Sequence, residues 1–190
     1  VFQAASPFRA GPFSSEAKRA GKQEEMSQIR TPRLLLRRAR EGDLSALHGI
    51  MSDPVAMRYW STPPHVDLEV TRRWLTSMIE APAEISDDYI VERDGQVIGK
   101  LGAWRLPEIG FLLSRAAWGQ GYGREALRAF IVHAFAGRTD HLTADVDPDN
   151  AASLALLAGA GFVETGRAAR TWQVGDTWCD SVYLRLDRDR

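Results

Sequence analysis

Cysteine occurs once in 190 residues, at Cys179, which excludes an intramolecular disulfide and a zinc cluster built on paired thiols. With no secretion signal in view, that usage makes a reducing cytoplasm the expected home. Histidine is sparse as well: His48, His65, His133 and His141 stand singly, without the spacing of a metal-binding pair, so no metal is expected. Net charge is almost absent at −1, which argues against a broad nucleic-acid-binding surface. No apolar run approaches the roughly 20 residues that span a bilayer. What is present, 44% hydrophobic and 26% charged residues, suits a globular chain with a substantial core, acting as a monomer or homodimer.

Residues 1–25 differ from the rest. They are rich in Ser, Ala, Pro, Gly and charge, show no period, and stop just before Met26. They read as a disordered arm, a cloning remnant, or translation from upstream of a start at Met26; Glu16, Glu24 and Glu25 count against an organelle-targeting peptide. Residues 26–190 are expected to form one domain.

Along that domain, residues 31–38 form a short strand-like run. Asp43 is a candidate N-cap for a helix carrying Leu44, Leu47, His48, Ile50 and Met51, and a second helical pattern runs from Asp67 to Glu80 until Pro82 stops it. Residues 89–93 and 96–101 flank Asp94-Gly95, the signature of a tight hairpin. A further strand spans 108–113. Ala126, Leu127, Phe130, Ile131, Ala134 and Phe135 recur at helical spacing, followed by a strand near 141–146, a helix opened at Asn150 and broken at Gly159-Ala-Gly161, and two closing strands. The expected fold is mixed α/β of the α+β type: about six to seven mostly antiparallel strands and about four helices.

Between the strand at 108–113 and the helix that follows lies Trp118-Gly-Gln-Gly-Tyr-Gly-Arg-Glu-Ala, with glycine at 119, 121 and 123. Without Cβ atoms such a loop lets a ligand reach its main-chain amides, and it delivers them to a helix N-terminus with a positive dipole end. That arrangement suits phosphate, although the same glycines also permit a plain tight turn. A dinucleotide fingerprint needs glycine where Arg124 stands and a parallel βαβ setting, whereas this loop follows a hairpin meander. A P-loop at Gly95–Lys100 is one residue short, and Leu101 replaces its hydroxyl.

Asn150-Ala-Ala-Ser153, then Leu157-Ala-Gly-Ala-Gly-Phe162 and Gly166, is similar to the Asn-x-x-Ser…Gly-Phe…Gly stretch of the GNAT superfamily of N-acetyltransferases. Glu108-Ile-Gly-Phe with the loop from Trp118 to Ala126 resembles its RimJ/RimL-type branch, as do Thr31-Pro-Arg-Leu-Leu-Leu-Arg and Trp178-Cys-Asp-Ser-Val-Tyr-Leu. The resemblance spans residues 29–186.

It implies a sheet splayed between the strands at 108–113 and 141–147, and acetyl-CoA as cofactor. The diphosphate would lie on the amides of Gly119, Gln120, Gly121, Tyr122 and Gly123, with Trp118 beside the cofactor and Arg124 and Arg115 adding charge. The pantetheine arm would pair with Phe111, Leu112 and Leu113 as an added strand. Glu108 is the implied general base, Asn150 an amide contact, and Ser153 a hydroxyl beside the sulfur. Tyr59, Trp60, Trp74 and Trp172, the last on an expected loop at 167–174, are candidate walls for an acceptor that is a small amine or a protein N-terminus. Cys179, with no histidine near it in sequence, is expected to be a buried structural thiol rather than a covalent carrier. Two other functions remain open on the residues: a non-catalytic acyl-CoA sensor and a dinucleotide-dependent oxidoreductase.

Overall fold

The computed structural model describes residues 28–188; residues 1–25 lie outside that range. The strands are β1 (Ile29–Arg30), β2 (Leu35–Arg37), β3 (Asp87–Arg93), β4 (Gln96–Arg105), β5 (Glu108–Leu113), β6 (His141–Val146), β7 (Val163–Val174) and β8 (Thr177–Asp187). They form one sheet in the order β1-β2-β3-β4-β5-β6-β8-β7. Helices α1 (Leu44–Met51) and α2 (Leu68–Glu80) follow β2, α3 (Tyr122–Phe135) joins β5 to β6, and α4 (Ala151–Ala158) joins β6 to β7. All neighbouring strands are antiparallel except β5 and β6.

The eighth strand arises because the run at 31–38 is not continuous. The Thr31 amide donates to the Leu34 carbonyl at 3.0 Å, and the Thr31 hydroxyl accepts from the Leu34 amide at 2.9 Å, closing a turn around Pro32. The hairpin at Asp94-Gly95 has φ of 49° and 77°, both left-handed, the pairing that matches the strands' own twist.

Asp43 departs from expectation. A short 3-10 turn, Glu41–Asp43, precedes α1, and the Asp43 carboxylate makes no cap to the helix. It instead takes both Arg37 guanidinium nitrogens, at 2.9 and 2.7 Å, and the Arg40 amide. Arg37 is buried and also donates to Glu92 at 2.7 Å, so a bidentate pair outcompetes a single capping bond. At α2 the cap is conventional: Asp67 accepts from the Val70 amide at 2.9 Å.

The sheet is covered on both faces. On one, α3 and α4 bury Ala126, Leu127, Phe130, Ala134 and Leu157 against Tyr89, Leu101, Ile109 and Leu142. On the other, α1 and α2 set Leu47 and Leu75 against Ile90, while Ile50, Met51 and Met57 surround Leu112. The two halves of the sheet meet at a single register pair, Glu108 with Thr143, where the Thr143 amide donates to the Pro107 carbonyl at 3.0 Å. Beyond it β5 and β6 part, which is the splay the sequence resemblance implies.

Asp43→Ala strips one partner from a buried arginine while Glu92 remains; urea denaturation should show a loss of about 3 kcal/mol. Asp67→Ala removes only a cap and should cost about 1 kcal/mol.

Candidate active site

Where β5 leaves β6, its outer edge offers main-chain groups. The Ser114 amide donates to the Ile98 carbonyl at 2.9 Å and the Leu112 carbonyl abuts Gly99, so residues 112 and 114 address β4. Alternation then turns the backbone of Phe111 and Leu113 toward the split. Of the three strand residues expected to meet a cofactor, Leu112 is therefore placed otherwise: its backbone serves β4 and its side chain fills the α1-side core. The Leu113 carbonyl accepts from the Trp118 indole at 2.9 Å, which lays the half-exposed Trp118 ring beside the edge.

The chain runs from β5 through a 3-10 turn, Arg115–Ala117, into the glycine loop. Gly119 and Gly121 have φ of 70° and 80°, and Gly121 is the N-cap of the 14-residue α3. A Cβ on Gly119 would meet nothing within 4 Å; one on Gly123 would press on Leu156 at 3.3 Å and Leu113 at 3.6 Å. The glycines thus have two purposes: 119 and 121 supply left-handed turns, the first beneath open space and the second under the Arg33 guanidinium at 3.5 Å, and 123 lets α3 close on α4 and β5. The free amides at the start of α3, with the positive end of its dipole, fit the diphosphate of coenzyme A on physical grounds.

The loop's side chains are committed elsewhere. The Gln120 amide nitrogen donates to the Ala116 carbonyl. The Tyr122 ring is buried between the guanidinium groups of Arg33 and Arg93, at 4.6 and 5.0 Å. Arg124, by contrast, stands exposed in the first turn of α3, with no committed partner among the described residues. Arg115, expected to add charge for phosphate, instead donates to Asp53 at 2.5 Å.

Sequence reasoning missed what holds the loop. Glu125, in the first turn of α3, accepts from the Thr31 hydroxyl, the Arg33 amide at 2.9 Å and the Arg33 Nε at 2.6 Å. Arg33 in turn donates Nη1 to the Gln120 carbonyl at 3.0 Å. Burial alone would raise the Glu125 carboxyl, but these donors outweigh it and hold it below the ordinary glutamate range. The one local signal was an acid in the first turn of a helix; its partners lie more than 90 residues away in sequence.

Glu108 opens β5 with its side chain exposed, 3.3 Å from the Trp104 indole nitrogen. Asn150 caps α4, its Oδ1 accepting from the Ser153 amide at 3.2 Å, so Ser153 lies in the first helical turn. Trp60 packs beside Met57 and Leu112, whereas Trp74 bridges the two clusters under α1 and α2 and belongs to their packing. Tyr59 carries Arg58 over its ring at 5.1 Å. Trp172 is not on a loop: residues 167–174 continue β7, and Trp172 pairs with Cys179 on β8. Its indole nitrogen is buried without a partner. Cys179 is half-buried, and burial, with Asp147 and Asp180 nearby, pushes its thiol up, away from the reactive thiolate. Among the described residues no trio of His, Cys, Asp or Glu side chains is placed to hold a metal ion, and no helix is long and apolar enough to cross a membrane.

A half-split sheet with an amide cradle at the end of the parting strand defines an acyl-carrier-binding fold. Residues 33–163 match the family model described as Acetyltransferase (GNAT) domain, and the chain belongs to that family. Its chemistry is transfer of an acetyl group from acetyl-CoA to an amine nitrogen. The N-acetyltransferase p20 of Bacillus licheniformis is 28% identical over 151 residues, 74% of this chain and 85% of that protein. An L-methionine sulfoximine/L-methionine sulfone acetyltransferase of Pseudomonas paraeruginosa is 29% identical over 168 residues, 81% of this chain and 94% of that protein. Among solved structures, the fold resembles RimL, a ribosomal L7/L12 α-N-protein acetyltransferase in complex with coenzyme A: TM-score 0.77, 22% identity, 85% of this chain and 98% of that one.

Glu125→Gln should weaken acetyl-CoA binding about tenfold by calorimetry, because losing charge-assisted bonds of roughly 1.5–3 kcal/mol frees the loop. A carboxyl lowered in the folded state contributes in full above its unfolded pKa, near 4.3, and loses that contribution as pH falls through the folded value. The variant should therefore show a shallower loss of thermal stability on acidification than the wild type.

Proposed function

We propose that the glycine loop and the β5 edge hold acetyl-CoA and that Glu108 removes the proton from the attacking amine, directly or through water. When bound, acetyl-CoA supplies the thioester whose acetyl group passes to that nitrogen. The observation that carries this reading is the parting of β5 from β6 immediately after Glu108, which puts an exposed carboxylate at the mouth of the only strand edge addressed by the loop among the described residues. An amine with a pKa of about 8–10 is mostly protonated at neutral pH, so a carboxylate that accepts its proton raises the reactive fraction. The amides of Gly119, Gln120, Gly121, Tyr122 and Gly123 bind the diphosphate, with Trp118 and Arg124 flanking it. The backbone of Phe111 and Leu113 pairs with the pantetheine arm. Asn150, whose Oδ1 is spent on the Ser153 amide, keeps its side-chain NH2 to donate to that arm. The Ser153 hydroxyl donates to the departing thiolate.

The acceptor is a small-molecule amine or a protein N-terminus. Trp60 and Tyr59, on the α1 and α2 side where Glu108 points, are its candidate walls. RimL acts on a protein N-terminus and the Pseudomonas relative on amino-acid derivatives, so both classes belong in the screen. A cytoplasmic site of action and one domain over residues 26–190 are part of the same proposal; the lone half-buried Cys179 supports the former.

Glu108→Gln should lower kcat by about 10²–10³-fold at neutral pH, with the deficit narrowing as pH rises through the amine's own pKa. Thiol release followed across a pH series checks this; a deficit that stays constant would remove Glu108 from the role. Gly121→Val forces a β-branched residue to a φ of 80°. It should raise the Kd for acetyl-CoA by about tenfold or more, measured by calorimetry.

A further inference from the structure

Across the split from the β5 edge, a second carboxylate points to the same side of the sheet as Glu108. Alternation along β5 sends Ile109 into the core under α3 and leaves Glu108 and Gly110 on the α1 and α2 side. Along β6 the core residues are Leu142, Ala144 and Val146, so Thr143 and Asp145 point to that same α1 and α2 side. Glu108 is level with Thr143, the one register pair between the two strands. Asp145 stands one step further on, where the strands have parted, across the gap from Gly110. A Cβ on Gly110 would meet nothing within 4 Å, so the β5 side of the gap is open on this face. On the far side of β6, the register partner of Asp145 is Tyr183 of β8, which is 37% exposed.

The fold makes no use of Asp145. Aspartate is depleted in strands, and this one is exposed to solvent. The cation nearest in register, Arg185 opposite Thr143, gives its Nε and Nη2 to Asp187 at 2.9 and 2.7 Å. Asp145 is thus left without an ion-pair partner among the described residues. Asp147, the next acid on the same face, is employed: its Oδ1 accepts from the Asp149 amide at 2.8 Å. Glu108 and Asp145 therefore set two negative charges around an open gap, with an aromatic ring flanking one of them. Like charges so placed repel each other and add nothing to stability.

We propose that Asp145, with the Tyr183 ring beside it, determines specificity for the acceptor, and that it selects amines carrying a second cationic group. This rests on the acetyl-transfer reading, in which Glu108 meets the reacting nitrogen. Two strand steps of about 3.3 Å and one strand spacing of about 4.8 Å set the Glu108 and Asp145 Cα atoms about 8 Å apart, the span of an extended five-carbon diamine. The far ammonium of such a diamine pairs with Asp145 and lies against the edge of the Tyr183 face, where the ring adds its own attraction. A neutral tail leaves Asp145 to water. A carboxylate tail is repelled by it.

The test uses the full chain and three acceptors of similar length: 1,5-diaminopentane, pentylamine and 6-aminohexanoate, whose far ends are positive, neutral and negative. Thiol release from acetyl-CoA should give the diamine a kcat/KM about tenfold above pentylamine, corrected for its two equivalent amines and arising mainly through KM. The aminohexanoate should rank last. In Asp145→Asn the diamine advantage should fall to about threefold or less, and Asp145→Glu, which restores the charge, should recover most of it. Asp145 is exposed, and acetyl-CoA titration checks that each variant is folded. Equal kcat/KM for diamine and pentylamine in the wild type, or an advantage that persists in Asp145→Asn, overturns the assignment. Titration of the coenzyme A-loaded protein with the same two amines separates it from the transfer reading. Tighter diamine binding that is lost in Asp145→Asn, with no thiol release from any acceptor, keeps the subsite and removes the transferase. Thiol release with identical binding of both amines keeps the transferase and removes the subsite.

Discussion

A single carboxylate organises the glycine-loop end of the molecule. Glu125 gathers the Thr31 hydroxyl and both the amide and guanidinium of Arg33, and Arg33 reaches on to the Gln120 carbonyl. The connection between the first two strands is thereby tied to the first turn of α3 and to the middle of the glycine loop. Left-handed glycines alone would leave that loop many conformations, since glycine loses more freedom on ordering than any other residue. The clamp supplies the missing restraint from outside, so main-chain amides can be presented to a ligand without side chains of the loop having to hold them. Tyr122, stacked between Arg33 and Arg93, braces the same corner.

The sheet divides the labour between its faces and its edge. The face under α3 and α4 is apolar and carries the core, including Phe130 and Leu127 at full burial. The opposite face is thinner: two glycines, a buried ion pair and the half-buried Trp60 interrupt its apolar packing near Glu108. A carrier held on the edge of β5 and an amine laid on that thinner face would meet where the single register pair between Glu108 and Thr143 ends. The geometry of the proposed transfer would follow from one missing stretch of strand pairing.

Much of this was legible because it is local. Asp94-Gly95 declares its hairpin through backbone preference alone, and Gly119 and Gly121 declare left-handed turns in the same way. The splay and the order of the elements came through the family resemblance rather than from periodicity. What escaped was set by partners distant in sequence. Asp43 has the residue type and position of a cap, but Arg37 offered two bonds where the helix offered one. Arg115 looks like a phosphate ligand until Asp53, two residues past the end of α1, takes it. Residues 167–174 resemble a loop in sequence, yet they continue β7, whose register shifts between Glu164 and Gly166 and again between Ala168 and Trp172. Leu112 sits between two residues that address the split, yet strand alternation turns it the other way.

The central claim is that the bare amides from Gly119 to Gly123 grip the diphosphate of acetyl-CoA. Hydrogen exchange of those amides, measured residue by residue with and without saturating acetyl-CoA, tests it directly. The account predicts that exchange at Gly119, Gln120 and Gly121 slows markedly on binding while the β7–β8 hairpin changes little. Binding that leaves these three amides exchanging as before would contradict it.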